Sequence, residues 1–218
     1  MEGIYKEYYE SGKIFKEINF INDKENGQGK IYYEDGKILR IVNLKNGNEN
    51  GDVIDYYPNG RIKNKAHFID GELNGEVISY SENGNIIEKV FMKGKLLNGD
   101  AFAYYPSGKL KEKDSFKNGK REGEAVIYYE NGNVKQKSTF KNDKREGDLF
   151  IYYPSGKLRQ TEKFINGKAE GEVIEYYENG VMKEKAYFIN DKQEKEHFFY
   201  DEKGKLIKTD IYKNGVKQ

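Results

Sequence analysis

A chain of 218 residues with 38 Lys and Arg against 37 Asp and Glu has a net charge of +1, so no overall field draws it to nucleic acid. The absence of Cys excludes disulfides and thiol chemistry, and no apolar run approaches ~20 residues, which excludes a helical membrane span. Only 36% of residues are apolar and 34% are charged, but 19 Tyr and 12 Phe recur periodically, which implies a narrow core of aromatic rings rather than disorder.

The period is set by glycine. A turn glycine returns every 24 residues, at Gly12, Gly36, Gly60, Gly84, Gly108, Gly132, Gly156, Gly180 and Gly204. A second series, nine residues upstream, runs Gly3, Gly27, Gly51, Gly75, Gly99, Gly123, Gly147 and Gly171 and fails only at Lys195. A fixed period without a linker marks a repeat array. Residues 1–218 therefore read as a single array of nine units, beginning near residues 3, 27, 51, 75, 99, 123, 147, 171 and 195.

With the seam glycine as position one, each unit opens with a short strand over positions three to seven, as in Val126-Ile127-Tyr128-Tyr129, because alternating β-branched and aromatic residues bounded by Gly favour a strand. A turn follows, Glu130-Asn131-Gly132 here and Pro106-Ser107-Gly108 or Pro154-Ser155-Gly156 elsewhere. Pro at this place suits a type I turn, with Gly then left-handed in a bulge; an Asn-Gly type I′ turn is the alternative, and Ser-Gly pairs favour the former. The second strand runs to an aromatic, Lys109 to Phe116 for example, and a polar loop such as Lys117-Asn118-Gly119-Lys120-Arg121-Glu122 leads to the next seam. Such a register places Tyr128 opposite Val134 and Tyr176 opposite Met182. It predicts a core stripe of Val126, Tyr128, Val134 and Phe140, with Tyr129 and the lysines of positions eleven, thirteen and fifteen on a wet, basic face. Nine hairpins at roughly 4.7 to 4.9 Å per strand would extend on the order of 85 Å. The last unit, with Asp201 for the second tyrosine, Lys195 at the seam and a His197-Phe198-Phe199 strand, reads as a cap.

The Tyr-Tyr-x-x-Gly hairpin, the strand ending in Phe, the Asn-Gly-Lys loop and the Glu-Gly seam resemble the MORN-repeat superfamily, specifically its bacterial MORN-variant branch. The resemblance spans essentially the whole chain and is best over Gly99 to Phe116, Gly123 to Phe140, Gly147 to Phe164 and Gly171 to Phe188. It implies an all-β fold, an elongated antiparallel β-meander of nine 24-residue hairpin repeats, and a binding or scaffolding role. Members of this branch are often labelled antitoxin-like or immunity-like, and eukaryotic MORN arrays occur beside lipid kinase domains and in membrane-associated scaffolds. Ser81 in place of the second tyrosine and Lys195 at the seam depart from the pattern.

Catalytic chemistry has little to stand on. His67 and His197 are the only histidines, and with no Cys they offer neither a metal site nor a nucleophilic triad. The Asn46-Gly47-Asn48-Glu49-Asn50-Gly51 run places Tyr57 where a calcium loop needs its bidentate Glu. Carboxylates beside the seams, such as Glu122/Glu124, Glu146/Asp148 and Glu170/Glu172, repeat without a unique pocket and read as solvating groups. No catalytic residue, metal or cofactor is therefore assigned, and the chain is expected not to be an enzyme. Two surfaces stand out. A ladder of Tyr105, Tyr129 and Tyr153 with Lys111, Lys113, Lys135, Lys137 and Arg159 forms a candidate face for anionic lipid. The residue two before each seam changes from Glu25 and Glu49 to Leu73 and Leu97, then to Arg121 and Arg145, and marks a candidate site for a protein partner. The leading expectation is a protein-interaction scaffold with another protein as its partner, and the alternative is a peripheral binder of anionic lipid headgroups. Nucleic acid is disfavoured, and an open terminal strand allows end-to-end self-association. The sequence does not decide the compartment: the cytoplasm and, if a leader is removed, export are both open.

Overall fold

The computed structural model describes residues Met1–Gln218 as two units, Met1–Gly108 and Lys109–Gln218, each built of antiparallel strands without a helix. In the second unit the sixth repeat shows the local logic. Strands Gly123–Tyr128 and Val134–Lys141 are joined by a turn in which Tyr129 N–H donates to the Asn133 carbonyl at 2.8 Å and Gly132 N–H to the Tyr129 carbonyl at 2.9 Å. Gly132 sits at φ +93°, so the turn is type I closed by a left-handed glycine, as the Pro and Ser-Gly variants imply. A Cβ there would meet nothing within 4 Å, so the backbone conformation alone demands glycine. The first unit repeats the arrangement, with Tyr57 N–H to the Arg61 carbonyl and Gly60 N–H to the Tyr57 carbonyl, both at 2.8 Å.

Tyr128 faces Val134 and Tyr176 faces Met182, as expected, but the pairing then shifts by one residue, because Ile127 lies opposite Gln136 and Lys135 is left unpaired. This second bulge reverses the alternation beyond it. Val126 therefore shares a face with Lys137, while Ala125, Ser138 and Phe140 line the other face, so the expected stripe of Val126, Tyr128, Val134 and Phe140 is split between the two. Val126 and Phe140 are buried as expected, and buried residues recur also at positions three and sixteen: Ile18, Val42 and Val53 in the first unit, and Ala125, Ser138, Leu149 and Ala186 in the second.

The polar loop is also shorter than its sequence suggests. Lys141 pairs with Lys144 and Phe140 with Arg145 around two residues, Asn142 at φ 50° and Asp143 at φ 67°, which is a tight two-residue hairpin of the type I′ kind. The equivalent turn in the first unit is Asn46-Gly47. Each repeat thus contains two hairpins. The seam follows, where the incoming strand gains two residues between the Phe140–Arg145 and Lys137–Phe150 pairs around left-handed Gly147. Lys195 keeps the same backbone at φ 66°, with its Nζ 3.5 Å from the Tyr187 ring centre.

Side chains staple each repeat to the next at both ends. At the glycine turn, the position-seven hydroxyl donates to the main-chain carbonyl of position six in the following repeat: Tyr9 to Tyr32, Tyr33 to Tyr56 and Tyr57 to Tyr80 in the first unit, and Tyr129 to Tyr152, Tyr153 to Tyr176 and Tyr177 to Tyr200 in the second, at 2.6 to 2.8 Å. At the other end a seam carboxylate caps the next tight turn, with Glu122 accepting from Asn142 N–H, Glu146 from Asn166 and Glu170 from Asn190, at 2.8 to 2.9 Å. These glutamates, expected as solvating groups, are turn acceptors.

Position sixteen is polar in four of the five repeats of the second unit, where Asp114, Ser138 and Asp210 are buried and Glu162 occupies the same place, and apolar at Ala186. Burial pushes the Glu162 carboxyl above its ordinary 4.5, with Arg145 and Gln160 pulling it down. A carboxyl raised on folding binds its proton more tightly in the native state, so its stabilisation is present at low pH and is lost as pH rises from 4.5 through the folded value. Glu162→Gln is therefore expected to raise the melting temperature at pH 7, and the gain should vanish below about pH 4.5. Tyr153→Phe keeps the ring and deletes one staple, which should cost about 0.5 to 1.5 kcal/mol in urea unfolding.

Candidate functional site

The tyrosine and lysine face is occupied by its own chemistry. The hydroxyls of Tyr129 and Tyr153 are committed to carbonyls of the next repeat, and burial, with Asp55 and Asp35 adding, raises the pKa of the equivalent Tyr33. Tyr105 holds the same place in its own turn, its carbonyl accepting from Gly108. The unpaired bulge residue at position thirteen leans over the ring: Lys63 Nζ lies 5.7 Å from the Tyr57 ring centre, Lys135 5.7 Å from Tyr129 and the Arg159 guanidinium 5.9 Å from Tyr153. Lys111 occupies that position and Lys113 pairs with Val126 in the strand Leu110–Lys117.

Lysines at position fifteen are matched across the strand by an acid at position two. Lys137 meets Glu124 at 2.5 Å and Lys185 meets Glu172 at 2.5 Å in the second unit, and Lys89 meets Glu76 at 2.6 Å in the first. The hydrogen bond to the carboxylate raises the pKa of Lys137 and of Lys89. Alternating charge at this spacing yields local neutrality, so the face is a set of exposed pairs, each worth little to stability, rather than a cationic field.

The four residues before the seams fall in two separate settings. Leu73 and Leu97 belong to strands Glu72–Tyr80 and Leu96–Tyr104 of the first unit, half-buried opposite Phe68 and Met92, and not to loops. Arg121 and Arg145, in the second unit, lie above the buried Phe140 ring at 5.1 and 5.9 Å. Arg121 also binds Asp114 at 2.6 Å and Glu112 at 3.4 Å. Burial, then Asp114, raises the Glu112 carboxyl while Arg121 lowers it.

Repeat four holds apolar exposure that sequence reasoning overlooked, as does the last repeat at Ile207 and Ile211. Ile87, Phe91 and Leu96 expose 46%, 40% and 49% of their surface. Ile87 and Phe91 stand at positions thirteen and seventeen, where repeat three has Lys63 and His67 and repeat five has Lys111 and Ser115. Alignment of the repeats by position already contains this signal, at positions thirteen and seventeen rather than at position twenty-three. Each histidine has its own local partners: His67 Nδ1 lies 2.8 Å from Asp52 in the first unit, and in the second His197 stacks on Phe199 at 4.0 Å, its Nδ1 2.8 Å from Gln193.

Comparison with known proteins follows this geometry. The sequence profile of the family described as MORN repeat variant matches nine times, over residues 1–22, 25–46, 49–70, 73–93, 97–118, 121–142, 145–166, 169–190 and 193–214. No curated protein matches the chain. Among solved structures it is similar to the crystal structure of TcdB2-TccC3-Cdc42, at 12% identity and a TM-score of 0.26 over 95% of this chain. It is also similar to TcdB2-TccC3-TEV, at 12% identity and a TM-score of 0.19 over 97% of this chain. In both cases the chain spans only 14% of the other chain's length. With nine matches covering nearly every residue, the chain belongs to the MORN repeat variant family.

Proposed function

We propose that this protein is a non-enzymatic interaction module that docks a protein partner on repeat four, through the surface holding Ile87 and Phe91. The observation that carries this reading is the exposure of both side chains within the array, at positions where repeats three, five and six place Lys with His, Ser or Thr; the last repeat alone shares an apolar pair there, Ile207 and Ile211. On the tyrosine and lysine face the Tyr129 and Tyr153 hydroxyls are spent on carbonyls, and Lys137 and Lys185 on carboxylates. Large apolar side chains left in water give the free protein nothing, whereas burying each against a partner contributes about 1.5 to 3 kcal/mol. Leu73 and Leu97, paired with Phe68 and Met92, are strand residues of the same unit rather than the docking residues themselves. Occlusion of a partner in this manner would suffice for an antitoxin-like or immunity-like role in a bacterium. The paired lysines weigh against recognition of anionic lipid.

The double substitution Ile87→Lys with Phe91→Ser installs the residue types of repeat five. It should change stability by no more than about 0.5 kcal/mol. Affinity for a partner recovered by capture and then purified should fall at least about tenfold, read by calorimetry. Unchanged affinity would contradict the docking surface. Cosedimentation with anionic vesicles that is sensitive to salt would instead move the assignment to the tyrosine and lysine face.

A further inference from the structure

At its glycine turn repeat four lacks only the position-seven ring. Its turn is intact, with Ser81 N–H donating to the Asn85 carbonyl and Gly84 N–H to the Ser81 carbonyl, both at 2.8 Å, matching Tyr57 and Gly60. The asparagine contact to the next repeat also persists: Asn85 Nδ2 donates to the Pro106 carbonyl at 2.9 Å, as Asn133 does to Pro154 at 2.8 Å. Ser81 Oγ turns back onto its own turn, bonding Asn85 N–H at 3.2 Å and the Asn85 carbonyl at 3.3 Å. The Tyr104 carbonyl, counterpart of the acceptor that six tyrosines reach elsewhere, thus receives no hydroxyl from repeat four.

The neighbouring bulge residue records the missing ring. Where position thirteen is apolar beside a tyrosine, as Phe15 beside Tyr9 and Leu39 beside Tyr33, it is half-buried, and Phe15 meets the Tyr9 ring edge-on at 5.1 Å. Ile87, the same position beside Ser81, is 46% exposed. The place therefore has an apolar wall at Ile87 and a carbonyl acceptor at Tyr104, and the other repeats show which group fills it.

We propose that this vacated place receives the tyrosine side chain of a protein partner, its ring against Ile87 and its hydroxyl donating to the Tyr104 carbonyl. The proposal names the partner chemistry of the docking surface on repeat four and rests on that reading. A phenol suits it better than a bare apolar group because the site combines one apolar wall with one acceptor, a pairing that rewards a ring with a polar tip.

Titration of the isotope-labelled full chain with p-cresol, the tyrosine side chain alone, tests the site without any partner. Saturable amide shifts centred on Ser81, Ile87 and Tyr104 are expected, with toluene binding about threefold or more weakly for want of the hydroxyl. Ser81→Tyr should fill the place in cis, as in the other repeats, and abolish the shifts. Ile87→Asp, which retains the turn, should weaken cresol binding about fivefold or more. Absence of saturable shifts, shifts that persist in Ser81→Tyr, or toluene binding as well as cresol would each overturn the proposal. Failure here leaves the Ile87 and Phe91 surface standing, since that surface is tested by partner affinity in the double variant.

Discussion

The hydrogen bond from a tyrosine hydroxyl to a carbonyl of the next repeat is the interaction on which this fold depends. A single layer of short hairpins has little interior: no side chain is wholly withdrawn from water, and the buried apolar residues are mostly Val, Ala, Ile and Leu. Hydrophobic burial alone is then weak, and cohesion falls to contacts between neighbours. The hydroxyl staple at one end and the carboxylate cap at the other supply such contacts at a 24-residue step.

Much of this was legible in the residues. Glycine spacing gave the repeat, and Pro with Ser-Gly at the turn gave the bulged geometry, because few conformations accept those residues. Tyr128 opposite Val134 followed directly. What escaped was a bulge at Lys135, which has no residue signature: Phe15, Leu39, Ile87 and Arg159 all occupy it, so the sequence cannot announce the reversal of faces that it causes. The tight Asn-Asp and Asn-Gly turns did have a signature, yet read as polar loops because attention lay on the other glycine. Leu73 and Leu97 thereby looked like loop residues when they are strand residues facing Phe68 and Met92.

The charged surface teaches a related point about counting. Rows of Lys111, Lys135 and Lys137 suggest a basic face when read along single positions, but Glu124 and Glu172, diagonal neighbours on the adjoining strand, pair with Lys137 and Lys185. Charge summed across the pleat cancels, and exposed pairs of this kind contribute little either to stability or to a long-range field. In a repeat protein whose units satisfy themselves, recognition is better sought where one unit breaks the pattern. Repeat four does so twice, by Ser81 at the staple and by Ile87 and Phe91 on the strand.

Hydrogen exchange at equivalent turn amides tests this account most directly. Tyr57 and Gly60 make the same main-chain bonds as Ser81 and Gly84, and the two turns differ chiefly in the staple. A staple worth about 1 kcal/mol predicts that the amides of Ser81 and Gly84 exchange roughly five to ten times faster than those of Tyr57 and Gly60. Equal protection at the two turns would contradict the claim that the tyrosine hydroxyl holds each repeat to the next.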